Sequence, residues 1–285
     1  MSIFKYVTED RLDILTNRLI RFTQPNAFND PFEMKPFLDS LGSECKLEKH
    51  LNKNWDSLLE QEYMTLSEQH RLMISLDQFK TIADTQKYVV KDNLFQVNQT
   101  NNVVGEIGNT INSTFEKIIG ILCLTKNPKN LLMWAHYTDS HKGFVIEFDE
   151  LHPFLNSKRS GNDEFFHLRE VKYSTERPNW NLMEVESFNV FLTKSQEWAY
   201  EEEWRMLRPL KGEENRISNQ TNDIYLFSCP LEAIKSIIMG CRMTQARREE
   251  IKSILKKDKE CSHIELFQSA EEEKLFSLKF EQINI

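Results

Sequence analysis

The densest concentration of chemically capable side chains lies in WAYEEEWRML, residues 198–207. Read as a strand, with side chains alternating between faces, it sets Glu201, Glu203 and Arg205 on one side and Glu202, Trp204 and Met206 on the other. Two carboxylates beside a guanidinium can keep one carboxylate ionised and oriented. A carboxylate fixed in that way can grip a ribose hydroxyl and stabilise the positive charge that develops on the sugar as a glycosidic bond breaks, the same logic that places carboxylates in glycoside cleavage. The competing reading is an exposed strand edge with a charge pair. Three acidic residues between Trp198 and Trp204 are poor strand formers without another reason, which tips the reading toward a site.

Two further clusters combine aromatic, polar and titratable residues. LMWAHYTDSHKGFVIEFD, residues 132–149, brings Trp134, His136, Tyr137 and His141 to the edge of a predicted strand, where a ligand could stack on a ring and meet an imidazole. Its competing reading is a buried tryptophan with hydrogen-bonded histidines. FNDPFE, residues 28–33, contains Asn29 and Asp30, which can bond neighbouring backbone amides, and Pro31, which forces the preceding residue out of helix. Here the alternative is a turn anchored by Phe28 and Phe32. Asp30, Glu33 and Lys35 also share residue types with metal-dependent nucleases, whose carboxylates hold a cation while a lysine positions water, although Asp30 lies too near Glu33 for the usual layout on separate strands.

The elements that must position these clusters follow from hydrophobic spacing. Residues 3–8 have strand composition, residues 9–16 place Leu12 and Leu15 at helical spacing, and residues 19–23 read as a second strand ended by the turn-rich PNAFNDP. From about 40 to 117 Glu, Lys, Gln, Asn and Leu dominate, predicting a helical insertion, with Thr65 and Glu68 as a capping box ahead of Leu72, Met73, Leu76 and Phe79. Residues 118–125 return to strand character, LLMWAHY predicts a short helix, and GFVIEFD alternates as a strand. A helical patch over 183–192, a strand or helix over 233–239, a surface helix over 245–257 and strands over 264–267 and 275–280 complete the reading. Strands interrupted by unrelated helices, without regular βα alternation, predict an α+β fold with a mixed or antiparallel sheet core, and the 285 residues are read as a single domain carrying the helical insertion.

Composition narrows the function classes. A 40% hydrophobic and 28% charged content is that of a globular chain. No apolar run approaches the ~20 residues that span a bilayer, and the first residues run directly into charged, patterned sequence, so a cytoplasmic location without membrane contact is expected. Five scattered cysteines with no CxxC spacing predict free thiols and no metal site built on sulfur. A net charge of −8 argues against a broad grip on nucleic acid. There is no Gly-rich dinucleotide fingerprint, P-loop, GxSxG elbow or HExxH helix.

The same segments in the same order, FKYVTEDRLDIL with LIRFTQPNAFNDPFE, CLTKNPKNLLMWAHYTDSHKGFVIEFD, WAYEEEWRML and CPLEAIKSIIMGCRM, resemble the bacterial domain-of-unknown-function family 2971, which has members linked to phage defence and abortive infection. The layout, with strand, short helix and strand at the start, an aromatic middle block and a late ExE-like strand, is similar to that of ADP-ribosyltransferases. That similarity implies a first-strand contact to adenosine ribose or nicotinamide from Lys5 or Tyr6. It implies stacking on nicotinamide by Tyr137 or Trp134, and a late glutamate, Glu203 or Glu201, that steers the chemistry. The His or Arg usual on the first strand and the Ser-Thr-Ser middle motif are not present.

Three function classes remain open. The first is a defence or toxin enzyme that uses NAD as substrate, an ADP-ribosyltransferase or NAD hydrolase. Its catalytic set would be Glu203, Glu201, Arg205 and His136, with Lys5, Tyr6, Asn29, Asp30, Trp134, Tyr137 and His141 on the dinucleotide and no metal. The second is a non-catalytic sensor or antitoxin-like module that binds a protein partner through the helical region. The third is a nuclease, which the acidic balance disfavours.

Overall fold

The structure, a computed structural model, describes residues 2–184, 188–210, 216–217 and 223–285. The chain divides into two compact units. One holds residues 1–34, 114–177 and 191–285, the other residues 35–113 and 178–190.

The first unit is built on an eight-stranded sheet. Its strands lie in the spatial order Leu278–Gln282, Glu265–Glu271, Ile234–Met239, Phe144–Asp149, Ser2–Val7, Ile119–Thr125, Glu203–Pro209 and Leu168–Glu170. All neighbours are antiparallel except Ile234–Met239 and Glu265–Glu271, so the sheet is mixed and the fold is α+β. The central strands are apolar on both faces, and both are covered. One face carries Ile3, Leu122, Phe144, Ile146, Phe148, Met206 and Ile237 against Ile251 and Leu255 of the helix Gln245–Lys257. The other carries Tyr6, Val145 and Ile238 against Met133 and Trp134 of the helix Leu131–Tyr137. Burial of alternate residues on opposite faces explains why GFVIEFD is nearly continuously apolar. A smaller sheet pairs Leu19–Phe22 with Ile224–Ser228, which in turn pairs Arg216–Ile217. Lys172–Ser174 and Thr193–Ser195 form a parallel pair.

The second unit is mainly helical, with Glu44–Thr65, Glu68–Met73, Leu76–Asn98 and the start of Asn101–Ile118. Leu51, Trp55 and Leu59, at four-residue spacing on one face, pack against Phe79 and Ala83. Trp55 Nε1 donates to Asp84 at 2.7 Å. A short parallel pair, Phe37–Ser40 with Asn179–Asn181, completes it.

Most element expectations hold within a residue or two, and the differences have local causes. Thr65 does not open a capping box: it ends a helix, and its hydroxyl donates back to the Glu62 carbonyl at 2.7 Å. The next helix is capped by Ser67, and the reciprocal box is Ser75 with Gln78. The helix expected over 9–16 occupies only Asp13–Thr16. The helical patch over 183–192 becomes two short 3-10 turns, Leu182–Glu184 and Phe188–Leu192, with residues 185–187 outside the described residues. Among the described residues, no helix is long and apolar enough to cross a membrane.

Candidate functional site

Glu201, Glu203 and Arg205 converge, but by a different backbone route from the single strand expected over 198–207. A 3-10 helix, Gln196–Glu201, ends at Glu202, which is left-handed with φ 45° and ψ 49°, and the strand begins only at Glu203. This one left-handed residue lets the chain change from helix to strand while both flanking carboxylates still point at the same cation. The end of the turn is tied down by Thr125, whose hydroxyl donates to the Glu201 carbonyl at 2.5 Å, and by Asn127, whose amide donates to the Glu202 carboxylate at 3.1 Å. Beyond it, Glu203 sits opposite Thr125 and Arg205 opposite Cys123.

That cation is Lys194, in the strand Thr193–Ser195. Its Nζ donates to Glu201 Oε2 at 2.6 Å and Glu203 Oε2 at 3.2 Å, and lies 3.7 Å from Glu33 Oε2. Its charge also sits 4.8 Å from the centre of the Trp198 ring. The fully buried Arg205 donates through Nε to Glu203 Oε1 at 2.7 Å and through Nη2 to Glu203 Oε2 at 2.8 Å, a bidentate pair. Its Nη2 also donates to Glu33, and its Nη1 donates to the Phe191 carbonyl at 2.7 Å. Tyr137 donates to Glu201 Oε1 at 2.7 Å, and the Tyr173 hydroxyl accepts the Glu203 backbone N–H at 2.8 Å. Three carboxylates and two cations thus form one buried network.

The network sets protonation. Burial works against the Glu203 charge, but Arg205 and Lys194 outweigh it and hold this carboxyl at about 2. Burial also opposes the charges on Lys194 and Arg205, yet Glu203 and Glu33 make both hold their protons more tightly than usual. Glu33 is pushed up by burial against the pull of Arg205 and Lys194. Burial, with the Glu201 charge adding to it, keeps the Tyr137 hydroxyl protonated, and Tyr173 is pushed up to about 12 chiefly by burial.

One side of this network opens into a cavity of about 400 Å³ whose lining includes Lys5, Tyr6, Asn29, His136, Tyr137, Glu201 and Glu203. Seven of the residues singled out in the sequence therefore share one chamber. Arg205 stands behind the wall they form. Asp30, Trp134 and His141 do not line it. Asp30 Oδ1 accepts the Phe32 N–H at 2.9 Å, the expected turn contact. Trp134 is buried beneath Tyr6, ring centres 5.4 Å apart, and donates to the Pro128 carbonyl at 2.8 Å. His141 stacks on the outer side of Trp134 and lines a different cavity with Cys241 and Arg242. Phe28 lines the main chamber, 5.8 Å from the Arg205 guanidinium, whereas Phe32 is exposed and anchors nothing in the core.

Sequence reasoning did not single out Lys194, Glu33 as an ion-pair partner, or Arg21, which also lines the chamber. A signal for Lys194 existed. Three glutamates against one arginine leave surplus negative charge that burial requires a cation to offset, and Lys194 is the nearest one upstream. Among the described residues, no group of three or more His, Cys, Asp or Glu side chains is arranged to hold a metal ion.

The sequence profile of a family described as Protein of unknown function (DUF2971) matches residues 133–206, a stretch that contains Tyr137, Lys194, Glu201, Glu203 and Arg205. No curated protein and no solved structure matches the chain.

Proposed function

We propose that the chain is an NAD-consuming enzyme, an ADP-ribosyltransferase or NAD hydrolase, with the nicotinamide ribose bound at the Glu201 and Glu203 end of the cavity. The observation that carries this reading is the pair of oriented carboxylates on a cavity wall shared with Tyr137, Tyr6 and Lys5. In the reaction, the bond between ribose C1′ and the nicotinamide nitrogen breaks, and its electron pair neutralises the pyridinium. The positive charge left on the ribose is met by carboxylate, and water or an acceptor nucleophile adds at C1′ and gives up a proton. Glu203 has both oxygens engaged by Arg205 and acts as the fixed anion. Glu201 is bonded once to Lys194 and once to Tyr137, which leaves lone pairs for a ribose hydroxyl. Tyr6 and Tyr137 offer faces for the nicotinamide ring. His136, exposed and on the cavity lining, is positioned to accept a proton from the incoming nucleophile. The setting proposed is bacterial defence or a toxin system in the cytoplasm, where NAD depletion or protein modification would halt an infected cell; its support is the sequence resemblance alone.

The test is nicotinamide release from NAD by the full chain, with and without cell lysate, alongside attachment of ADP-ribose to lysate proteins. Turnover by Glu201→Gln should fall by about 10²-fold or more, with urea unfolding showing that the variant is still folded under the assay conditions. No turnover in either condition, including lysate from phage-infected cells, would sink the enzymatic reading.

A second reading, a module that binds a protein partner, is favoured by one observation in the helical unit. Ile82, Tyr88 and Val89 of the helix Leu76–Asn98 are 58%, 76% and 47% exposed. Charged replacements there that abolish a cellular phenotype, with Glu201→Gln leaving it intact, would establish it.

A further inference from the structure

We infer that the ligand of this cavity carries a phosphoryl group, held between Arg21 and Lys5. The inference rests on the reading of the chamber as a ligand site and adds a requirement the carboxylate network does not impose, since that network would serve an uncharged nucleoside equally well.

Arg21 lies in the strand Leu19–Phe22, opposite Leu226, and Lys5 in the strand Ser2–Val7. Both line the carboxylate chamber, and both also line a second chamber of about 540 Å³ that shares Tyr6, Thr23 and Tyr137 with the first. The two spaces meet at this pair of cations. Among the described residues, Lys5 Nζ donates only to the Cys123 carbonyl, at 3.2 Å, and the buried Arg21 Nε has no partner. Among the described residues, neither cation has a carboxylate within ion-pair distance, whereas Arg11, the third cation of the second chamber, is engaged by Asp13 at 2.9 Å. Burial lowers the hold of both Lys5 and Arg21 on their protons, with Arg11 adding to the effect on each.

A fold that gathers like charges partly out of water, with no carboxylate in contact, loses free energy in the empty state. Elsewhere in this unit Arg205 has two carboxylates and Lys194 three within 4 Å. Among the described residues Arg208 also lacks a carboxylate partner, but it lies over the rings of Phe22, Phe154, Phe166 and Phe227 and lines neither chamber, whereas Lys5 and Arg21 sit where the chambers join. A guanidinium without a carboxylate partner beside an ammonium suits a tetrahedral phosphate, one donor forked and directional, the other a point charge. Thr23 adds a hydroxyl on the same wall, while that of Tyr137 is already given to Glu201. The chemistry is thus that of a diphosphate-linked nucleotide lying across both chambers, its ribose toward Glu201 and its phosphates at Arg21.

The experiment is calorimetric titration of the full chain, at about 0.15 M salt, with ADP-ribose, inorganic pyrophosphate and nicotinamide riboside. Arg21→Gln should weaken ADP-ribose and pyrophosphate by about 10–100-fold and leave nicotinamide riboside within about 2-fold, and Arg21→Lys should recover part of the loss. Lys5→Met should act in the same direction. The inference is overturned if the parent binds neither phosphate compound, if Arg21→Gln binds them as the parent does, or if it weakens nicotinamide riboside equally. Phosphate-dependent binding without nicotinamide release would keep this subsite and remove the transferase reading. Release from NAD that is indifferent to Arg21→Gln would do the reverse.

Discussion

Arg205 holds two carboxylates in the interior of the sheet, so its removal leaves both Glu203 and Glu33 buried without their principal counterion. Arg205→Met should cost about 3–5 kcal/mol in urea unfolding, and Arg205→Lys should recover little, because an ammonium cannot reproduce the bidentate pair. Glu203 gives a pH signature. Its carboxyl is held at about 2 against an ordinary 4.5, so the folded state binds this proton more weakly than the unfolded chain. The associated stability is complete above pH 4.5 and is lost as pH falls toward 2. Glu203→Gln should remove about 2–3 kcal/mol of that acid-side loss relative to the parent, read as unfolding free energy across this window. The shift of Glu33, in the opposite direction, then leaves its own slope uncovered. At this scale the acidic cluster was legible in the sequence because glutamates and an arginine at alternate positions must share a face or be brought together. The charge surplus called for a cation and made Lys194 a candidate, but its place in the network depends on a parallel strand pair with Lys172–Ser174 that no local pattern announces. His141 misled for a related reason: proximity in sequence to Tyr137 says nothing about the turn between them, in which Asp139, Ser140 and His141 are all left-handed and carry the imidazole to another cavity.

Among elements, the strand Phe144–Asp149 is entered through Gly143, where a Cβ would overlap the Val7 carbonyl oxygen. Backbone cannot yield as a side chain tip can, so Gly143→Ala should destabilise by about 1–3 kcal/mol or more, with the damage centred on the pairing of Val7 with Phe144. Gly161, where an added methyl group would meet nothing within 4 Å, is the control: Gly161→Ala should stay within about 0.5 kcal/mol by thermal or urea unfolding. The helix Leu131–Tyr137 and the helix Gln245–Lys257 could be read to the residue, because side-chain caps at Asn130 and Thr244 coincide with the start of the apolar spacing. The box at Thr65 could not be told from the true one at Ser75, since the pattern of a hydroxyl followed three residues later by Glu or Gln recurs and only the helix already in progress decides which hydroxyl is free.

For the molecule as a whole, the two units should differ in how readily they open. The helix Leu76–Asn98 has no buried side chain, whereas Phe144–Asp149 is buried on both faces in mid-sheet. Native-state hydrogen exchange should therefore show amides of Leu76–Asn98 exchanging through openings of lower free energy than those of Phe144–Asp149, and equal protection would contradict this ordering of stability. The order of the strands was the part least visible in advance, because it rests on partners far apart in the chain. The opening strand, Ser2–Val7, lies between Ile119–Thr125 and Phe144–Asp149. On a ribosome adding roughly 5–20 residues per second, this strand, made before both of its neighbours, thus waits roughly 6–30 s for them. Throughout that interval its backbone hydrogen-bonding groups are open to any extended segment nearby, so nascent chains halted before residue 119 should be captured by chaperones in a way that chains halted after Asp149 and its ordered neighbours have emerged are not.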